Sequence, residues 1–167
     1  MKKSEQPPSD TETRASNEHT QALRLWLRML ACTNLIEGQI RTRLRSHFGI
    51  TLPRFDLMSQ LERSPEGLKM GELSRRMMVT GGNVTGITDQ LVSEGLVVRE
   101  DNPNDRRAYI VKLTADGRRM FRKMAEAHEK WIVELLGGMS EKERQQFYQL
   151  LASLKSHAGG LARGEIP

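Results

Sequence analysis

Between residues 80 and 93 the chain sets Thr80, Gly82, Asn83, Thr85, Gly86, Asp89, Gln90 and Ser93 in a stretch that carries almost no charge. Amides such as Asn83 and Gln90 can form paired hydrogen bonds with the edge of adenine, and glycines and short hydroxyls let a helix approach a groove closely. The spacing supplies that helix. Val84, Ile87 and Leu91 recur at i, i+3 and i+7 over 81–94, so an apolar stripe packs inward and the polar set points away. A helix facing only solvent would more usually carry Lys and Glu pairs. Upstream, Arg75 and Arg76 suit phosphate oxygens. Downstream, Arg106 and Arg107 could enter a narrow minor groove, with Asp105 orienting one of them through a charge-assisted hydrogen bond. This is the chemistry of reading duplex DNA. Catalysis has no comparable set: the sequence shows no Gly-rich phosphate loop, no Cys/His cluster at zinc-ligand spacing and no nucleophile motif, and its 4 histidines are scattered. No enzyme, cofactor or metal is expected.

The elements that must position these residues are also legible. Met70, Leu73 and Met77 mark a scaffold helix, and Thr80 stands where the next helix needs an N-cap. Gly95 ends that second helix, and an extended run begins at Leu96. A polar turn over 100–107 and a β-branched stretch over 108–113 complete a two-stranded wing. Around this unit, 20–47 reads as a long helix with Leu23, Trp26, Leu27, Leu30, Leu35, Ile36, Ile40 and Leu44 on one stripe, closed by Gly49. Thr51-Leu52-Pro53 opens a second helix carrying Phe55, Leu57, Met58 and Leu61 before Pro65 and Gly67. Thr114 caps a helix over 115–136 with Phe121, Met124, His128, Trp131 and Leu135 in phase. Ser140 and Glu143 form a capping box for the last helix, whose Phe147, Leu150, Leu151 and Leu154 make a one-sided stripe.

The run Asp105-Arg106-Arg107-Ala108-Tyr109-Ile110-Val111-Lys112-Leu113-Thr114 resembles the wing signature of the MarR family of transcriptional regulators, and Leu73 to Met77 and Thr80 to Val97 fall in register with that family's helix-turn-helix. The resemblance spans about residues 20–158. It implies a mainly α fold with a small β-wing: dimerisation helices over 20–48 and 115–158, and a winged helix-turn-helix over 52–114, in one domain. An N-terminal arm over 1–18, rich in Ser, Thr, Glu, Gln and Pro, is expected to be disordered, and 159–167 to be a flexible tail. Gly86 and Gln90 stand where many members have arginine, and Met78 replaces a common turn glycine, so the base preference is this chain's own.

With 167 residues and 37% apolar content, one ordinary core suffices. The net charge of +5 favours a polyanionic partner, and no stretch approaches the roughly 20 apolar residues of a membrane span. A cytoplasmic location is expected. The first and last helices have more apolar face than one winged lobe can cover, so pairing with a second copy is predicted, and with it an operator that is an imperfect inverted repeat.

The resemblance also implies a small aromatic effector in the crevice between the dimerisation helices and the winged lobe, with Trp26, Arg28, Asn34, Arg54, Phe55, His128 and Trp131 as candidate contacts. Ordinary packing is the alternative for each. The stretches 23–28, 32–37 and 52–58 are similar to the branch controlling aromatic-acid catabolism, in which hydroxycinnamoyl-CoA thioesters such as p-coumaroyl-CoA or feruloyl-CoA release the repressor. Two other readings stay open: a redox switch at Cys32, the sole cysteine, and a winged-helix module that binds proteins. A cysteine beside Ala31 on such a helix is expected to be a small buried hydrophobe.

Overall fold

The computed structural model describes residues 21–77, 81–102 and 105–164, with only the backbone described over 105–108. The elements run α1 (Gln21–Phe48), α2 (Leu52–Glu62), β1 (Leu68–Lys69), α3 (Met70–Met77), α4 (Gly81–Ser93), β2 (Val97–Asn102), β3 (Asp105–Leu113), α5 (Ala115–Leu135) and α6 (Glu141–Ala162). The expected N-terminal arm, Met78 and the Thr80 cap lie outside the described residues. The described residues group into two compact units divided within α5, after Ala125; the sequence alone suggests one domain over 20–158.

Helix ends follow local chemistry. Gly49 takes φ +65 and stops α1. The Thr51 carbonyl accepts from the N–H groups of Arg54 and Phe55, and Pro53 occupies the first turn of α2, where a missing N–H costs nothing. Ser140 and Glu143 close the predicted capping box: the Ser140 Oγ accepts from Glu143 N at 3.3 Å, and Glu143 Oε2 accepts from Ser140 N at 2.8 Å. These bonds hold the Glu143 carboxyl below its ordinary value. The C-terminal end differs from expectation. α6 continues through Gly159 and Gly160 to Ala162, and Gly160 is buried.

In the first unit the core gathers Leu44 of α1, Ile50, Leu57, Met58 and Leu61 of α2, Leu73 of α3, Val84 and Leu91 of α4, Val111 of β3 and Met124 of α5, all essentially inaccessible. Phe55 stacks on Phe121 with ring centroids 5.5 Å apart. A small antiparallel sheet, ordered β1-β3-β2, covers one side. It has one more strand than the predicted hairpin. A two-residue strand leaves no periodicity to detect, and β1 pairs only through Leu68 with Val111 and Lys69 with Ile110. Gly67 (φ +88) makes that pairing possible, since a Cβ there would lie 2.4 Å from Ile110 Cγ2 and 2.8 Å from the Val111 carbonyl oxygen. The wing is also tighter than predicted: most of the polar 100–107 stretch is strand, paired from Val97 with Leu113 to Asn102 with Asp105, and Lys112 bridges Glu100 at 2.8 Å.

α1 enters the core only through its C-terminal half, at Ile40 and Leu44. Leu23, Trp26, Leu30 and Leu35 are exposed, and so are Phe147, Tyr148, Leu150, Leu151 and Leu154 on α6. Cys32 is exposed too, contrary to the expected burial. One residue along a helix is a turn of about 100°, so a half-buried neighbour such as Ala31 does not carry Cys32 inward with it. Among the described residues no helix is long and apolar enough to cross a membrane.

α1 packs on α2 and sets Glu37 near Asp56. Asp56 is exposed along one side, but the protein atoms packed around it desolvate the carboxyl, and this first, with the Glu37 charge second, raises it above its ordinary 3.8. A folded-state value above the unfolded one means that the folded chain holds the proton more tightly, so Asp56 lowers stability as pH rises through that range. Asp56→Asn is therefore expected to raise the melting temperature at neutral pH, with the gain shrinking as pH falls toward 3.8. Equal melting temperatures at pH 7, read by circular dichroism, would contradict this.

Candidate nucleic-acid interface

α4 presents two faces of different character. Val84, Thr88 and Leu91 are buried, while Ile87, assigned to the inward stripe from sequence, is only half-buried. Thr88 was not legible as a core residue because it is polar. Its hydroxyl donates to the Val84 carbonyl at 2.7 Å and approaches Met70 Sδ at 3.8 Å, so the buried group is satisfied within the fold. The spacing that could have shown it is i+4 from Val84 and i−3 from Leu91.

On the other face Gly82, Asn83, Thr85, Gly86, Asp89, Gln90 and Ser93 are all exposed. Thr85 donates to the Gly81 carbonyl at 3.0 Å and Ser93 to the Gln90 carbonyl at 2.7 Å, which holds both hydroxyls against the helix. A Cβ added at Gly81, Gly82 or Gly86 would meet nothing within 4 Å. Packing among the described residues therefore gives no reason for these three glycines, and Gly86, inside the helix, costs about 1 kcal/mol relative to alanine.

Asp89 differs from its neighbours. Its Oδ1 accepts from Arg99 Nη2 at 2.5 Å, tying α4 to β2 of the wing. Arg76 is similarly engaged, with Glu72 Oε1 at 2.5 Å and Ser64 Oγ at 3.1 Å, while Arg75 is exposed on the same helix. Asp105, Arg106 and Arg107 lie on β3, and their side chains, like Thr80, fall outside what the structure describes.

The C-terminal end of α4 is fastened to the wing and to α5. Gly95 takes φ +70, Leu96 N donates to the Leu91 carbonyl and Gly95 N to the Val92 carbonyl, both at 3.0 Å, the Schellman pattern. Thr114 then performs two tasks. Its hydroxyl donates to the Gly95 carbonyl at 2.7 Å and accepts from Gly117 N at 3.0 Å, so the residue that caps α5 also holds the end of α4. Gly117 sits so close that a Cβ on it would lie 1.9 Å from the Leu96 carbonyl oxygen. Neither Gly117 nor Arg99 is distinguished by sequence spacing, since both act through neighbours distant in the chain.

The residues predicted to contact an effector have diverse surroundings. Phe55 is core, stacked on Phe121, and the largely buried Arg54 is bonded to Glu94. Trp26, Arg28 and Asn34 are exposed on α1. His128 and Trp131 belong to the second unit; Trp131 is buried, and burial lowers the His128 imidazole below its ordinary value.

A scaffold helix, an exposed recognition helix and an antiparallel wing fastened to it define a winged helix-turn-helix, a class that docks its second helix in the major groove of DNA. Residues 48–108 match the profile of the MarR family. A MarR family transcriptional regulator from Silicibacter pomeroyi is 33% identical, with a TM-score of 0.71 over 88% of this chain and 99% of that one. The transcriptional activatory protein BadR of Rhodopseudomonas palustris is 28% identical over 133 residues, 78% of this chain and 75% of that protein. A mutant MarR from E. coli, solved in complex with operator DNA, shares the fold, with a TM-score of 0.72 and 24% identity over 83% of this chain and 99% of that one. The chain belongs to the MarR family of DNA-binding transcriptional regulators. Its relatives are regulators, not enzymes.

Proposed function

We propose that the protein is a dimeric, sequence-specific repressor that an aromatic effector of the hydroxycinnamoyl-CoA type releases from a pseudo-palindromic operator. The observation that carries the DNA-reading part is the outward face of α4, where exposed amides stand among glycines that no internal contact requires. Asn83 and Gln90 read base edges, Gly82 and Gly86 let the helix backbone approach, and Thr80, Thr85, Arg75 and Arg76 set its register on phosphates. Arg106 and Arg107, oriented by Asp105, enter the minor groove from the wing. Asp89 serves this face indirectly, by holding the wing through Arg99.

The exposed apolar residues of α1 and α6 support dimerisation. Support for the effector is the resemblance of α1 and α2 to the aromatic-catabolism branch, together with the exposed Trp26, Arg28 and Asn34. These offer an aryl face, a cation and an amide to an aryl-acyl group and its phosphates. Phosphates held beside a DNA-binding face would also repel the operator.

Fluorescence anisotropy on DNA from upstream of the protein's own gene, with p-coumaroyl-CoA, the free acid and free CoA, tests the whole reading. Tight binding reversed by the thioester alone is the expected result. Binding indifferent to all three compounds would remove the effector, and no preference over random DNA would favour the protein-binding module. On the same DNA, Asn83→Ala or Gln90→Ala is expected to lower discrimination by about 1–3 kcal/mol, whereas Arg107→Ala should weaken specific and random binding alike and flatten the salt dependence. Equal losses on both DNAs would take Asn83 and Gln90 out of the base-reading set, and an unchanged salt slope would do the same for Arg107 in the minor groove.

A second reading follows from the exposure of Cys32: peroxide acting on this thiol could release DNA through an intermolecular disulfide or a small-thiol adduct. Loss of binding on peroxide treatment, prevented by Cys32→Ser, would establish it.

A further inference from the structure

Arg54 and Glu94 are 40 residues apart in sequence and joined by an ion pair between Arg54 Nη2 and Glu94 Oε2. Each is badly placed for its own helix. Arg54 lies in the first turn of α2, where backbone N–H groups already leave partial positive charge, and Glu94 follows Ser93 at the end of α4, where carbonyls leave partial negative charge. Each placement opposes a helix dipole worth typically 0.3–1 kcal/mol. The Arg54 side chain is only 11% exposed against 47% for Glu94, and its Nε is buried without a hydrogen-bond partner. A long, costly cation has thus been drawn in beside the one carboxylate that ends the recognition helix. The Thr114 and Gly95 junction fastens the backbone at that end, and this pair adds a side-chain tie from α2.

We infer that Arg54 is a positioning residue for DNA recognition: through Glu94 it fixes the angle at which α4 leaves the core, and so the register of Asn83 and Gln90 on the bases. The inference rests on the DNA-reading function proposed above. A helix pivoting at its C-terminal end displaces its N-terminal residues most, and α4 spans 13 residues, about 20 Å at 1.5 Å per residue. Small angular freedom at Glu94 becomes a shift of an ångström or more at Asn83, enough to break a bidentate base contact while phosphate contacts adjust.

The test uses the full-length protein and its variants Glu94→Gln, Arg54→Met and Arg54→Lys, on a duplex that the wild type selects from a randomised pool and on random DNA. Glu94→Gln is half-exposed at its site and leaves the core intact, so it reports even if Arg54→Met folds poorly. Expected are a tenfold or greater loss on the selected duplex for Glu94→Gln and Arg54→Met, little change on random DNA, and partial recovery in Arg54→Lys. A purely structural role would lower the melting temperature and leave the specific-to-random ratio unchanged, which overturns the proposal. Amide exchange over 81–94 is measured without DNA on the same proteins: faster exchange in Glu94→Gln supports the tie, and exchange equal to wild type overturns it. Failure of the wild type to select any sequence would instead overturn the DNA-reading function, while the exchange comparison would still decide the tie.

Discussion

Gly117→Ala is expected to destabilise the winged unit by about 3 kcal/mol or more, at the upper end of the cost of overpacking a core. Helix propensity predicts the reverse. Position 117 lies in the first turn of α5, and alanine is favoured over glycine within a helix by about 1 kcal/mol. The clash decides the sign: the added Cβ would lie 1.9 Å from the Leu96 carbonyl oxygen and 3.3 Å from Leu113 Cδ2. The oxygen belongs to backbone that cannot rotate aside, and the Leu96 carbonyl also accepts from Thr114 N at 3.1 Å. Relief would require α5 to move away from the end of α4 and break the Thr114 hydrogen bonds to Gly95 and Gly117. Urea unfolding followed by circular dichroism measures the effect, and a midpoint at or above that of the wild type would show that the junction is looser than described. DNA binding should fail in parallel, because the recognition helix and the wing meet at this junction.

The second large effect concerns assembly. Leu150 and Leu154 are 61% and 43% exposed within one chain, so Leu150→Asp combined with Leu154→Asp should leave the fold of each chain as it is. In a two-fold dimer the pair becomes four buried leucines. At about 1.5–3 kcal/mol for a fully buried side chain, and with about half of each leucine still exposed in one chain, their contribution is on the order of 3–6 kcal/mol, a large share of the roughly 8 kcal/mol of a micromolar complex. Sedimentation velocity is expected to show monomers for the double variant and dimers for the wild type. Operator affinity should fall roughly a hundredfold or more, because the second half-site would no longer be held at high effective concentration. A variant that sediments as a dimer would show that α6 is not the interface, and would leave the exposed stripe of α1 as the remaining candidate.

What was readable in advance depended on range. The α4 pattern at Val84 and Leu91, the Gly49 and Gly95 helix ends, the Thr114 cap and the Ser140 capping box are interactions within a few residues, so the chain states them locally. The same holds for the outward set at Asn83, Thr85, Gly86, Asp89 and Gln90, since a 3.6-residue period assigns a face once the inward stripe is known. Prediction slipped where polarity stood in for position. Thr88 is buried because its own helix satisfies its hydroxyl, and Cys32 is exposed because it lies off the inward ridge of α1. The polar 100–102 segment is strand because pairing across the hairpin supplies what its composition lacks.

The sequence by itself therefore determined the winged helix-turn-helix, the family and the outward polar face of α4 on which the DNA-reading proposal rests, each encoded in spacings of seven residues or fewer or in a contiguous motif. Only the tertiary structure decided which charges are engaged. Asp89 is taken up by Arg99, Arg76 is reached by Ser64 from outside its helix, and Arg54 is held by Glu94, while Gly117 must remain glycine because a carbonyl 21 residues away occupies its space. Such pairings depend on which elements fold against each other, and side-chain charge or size carries no record of the partner until the chain has closed.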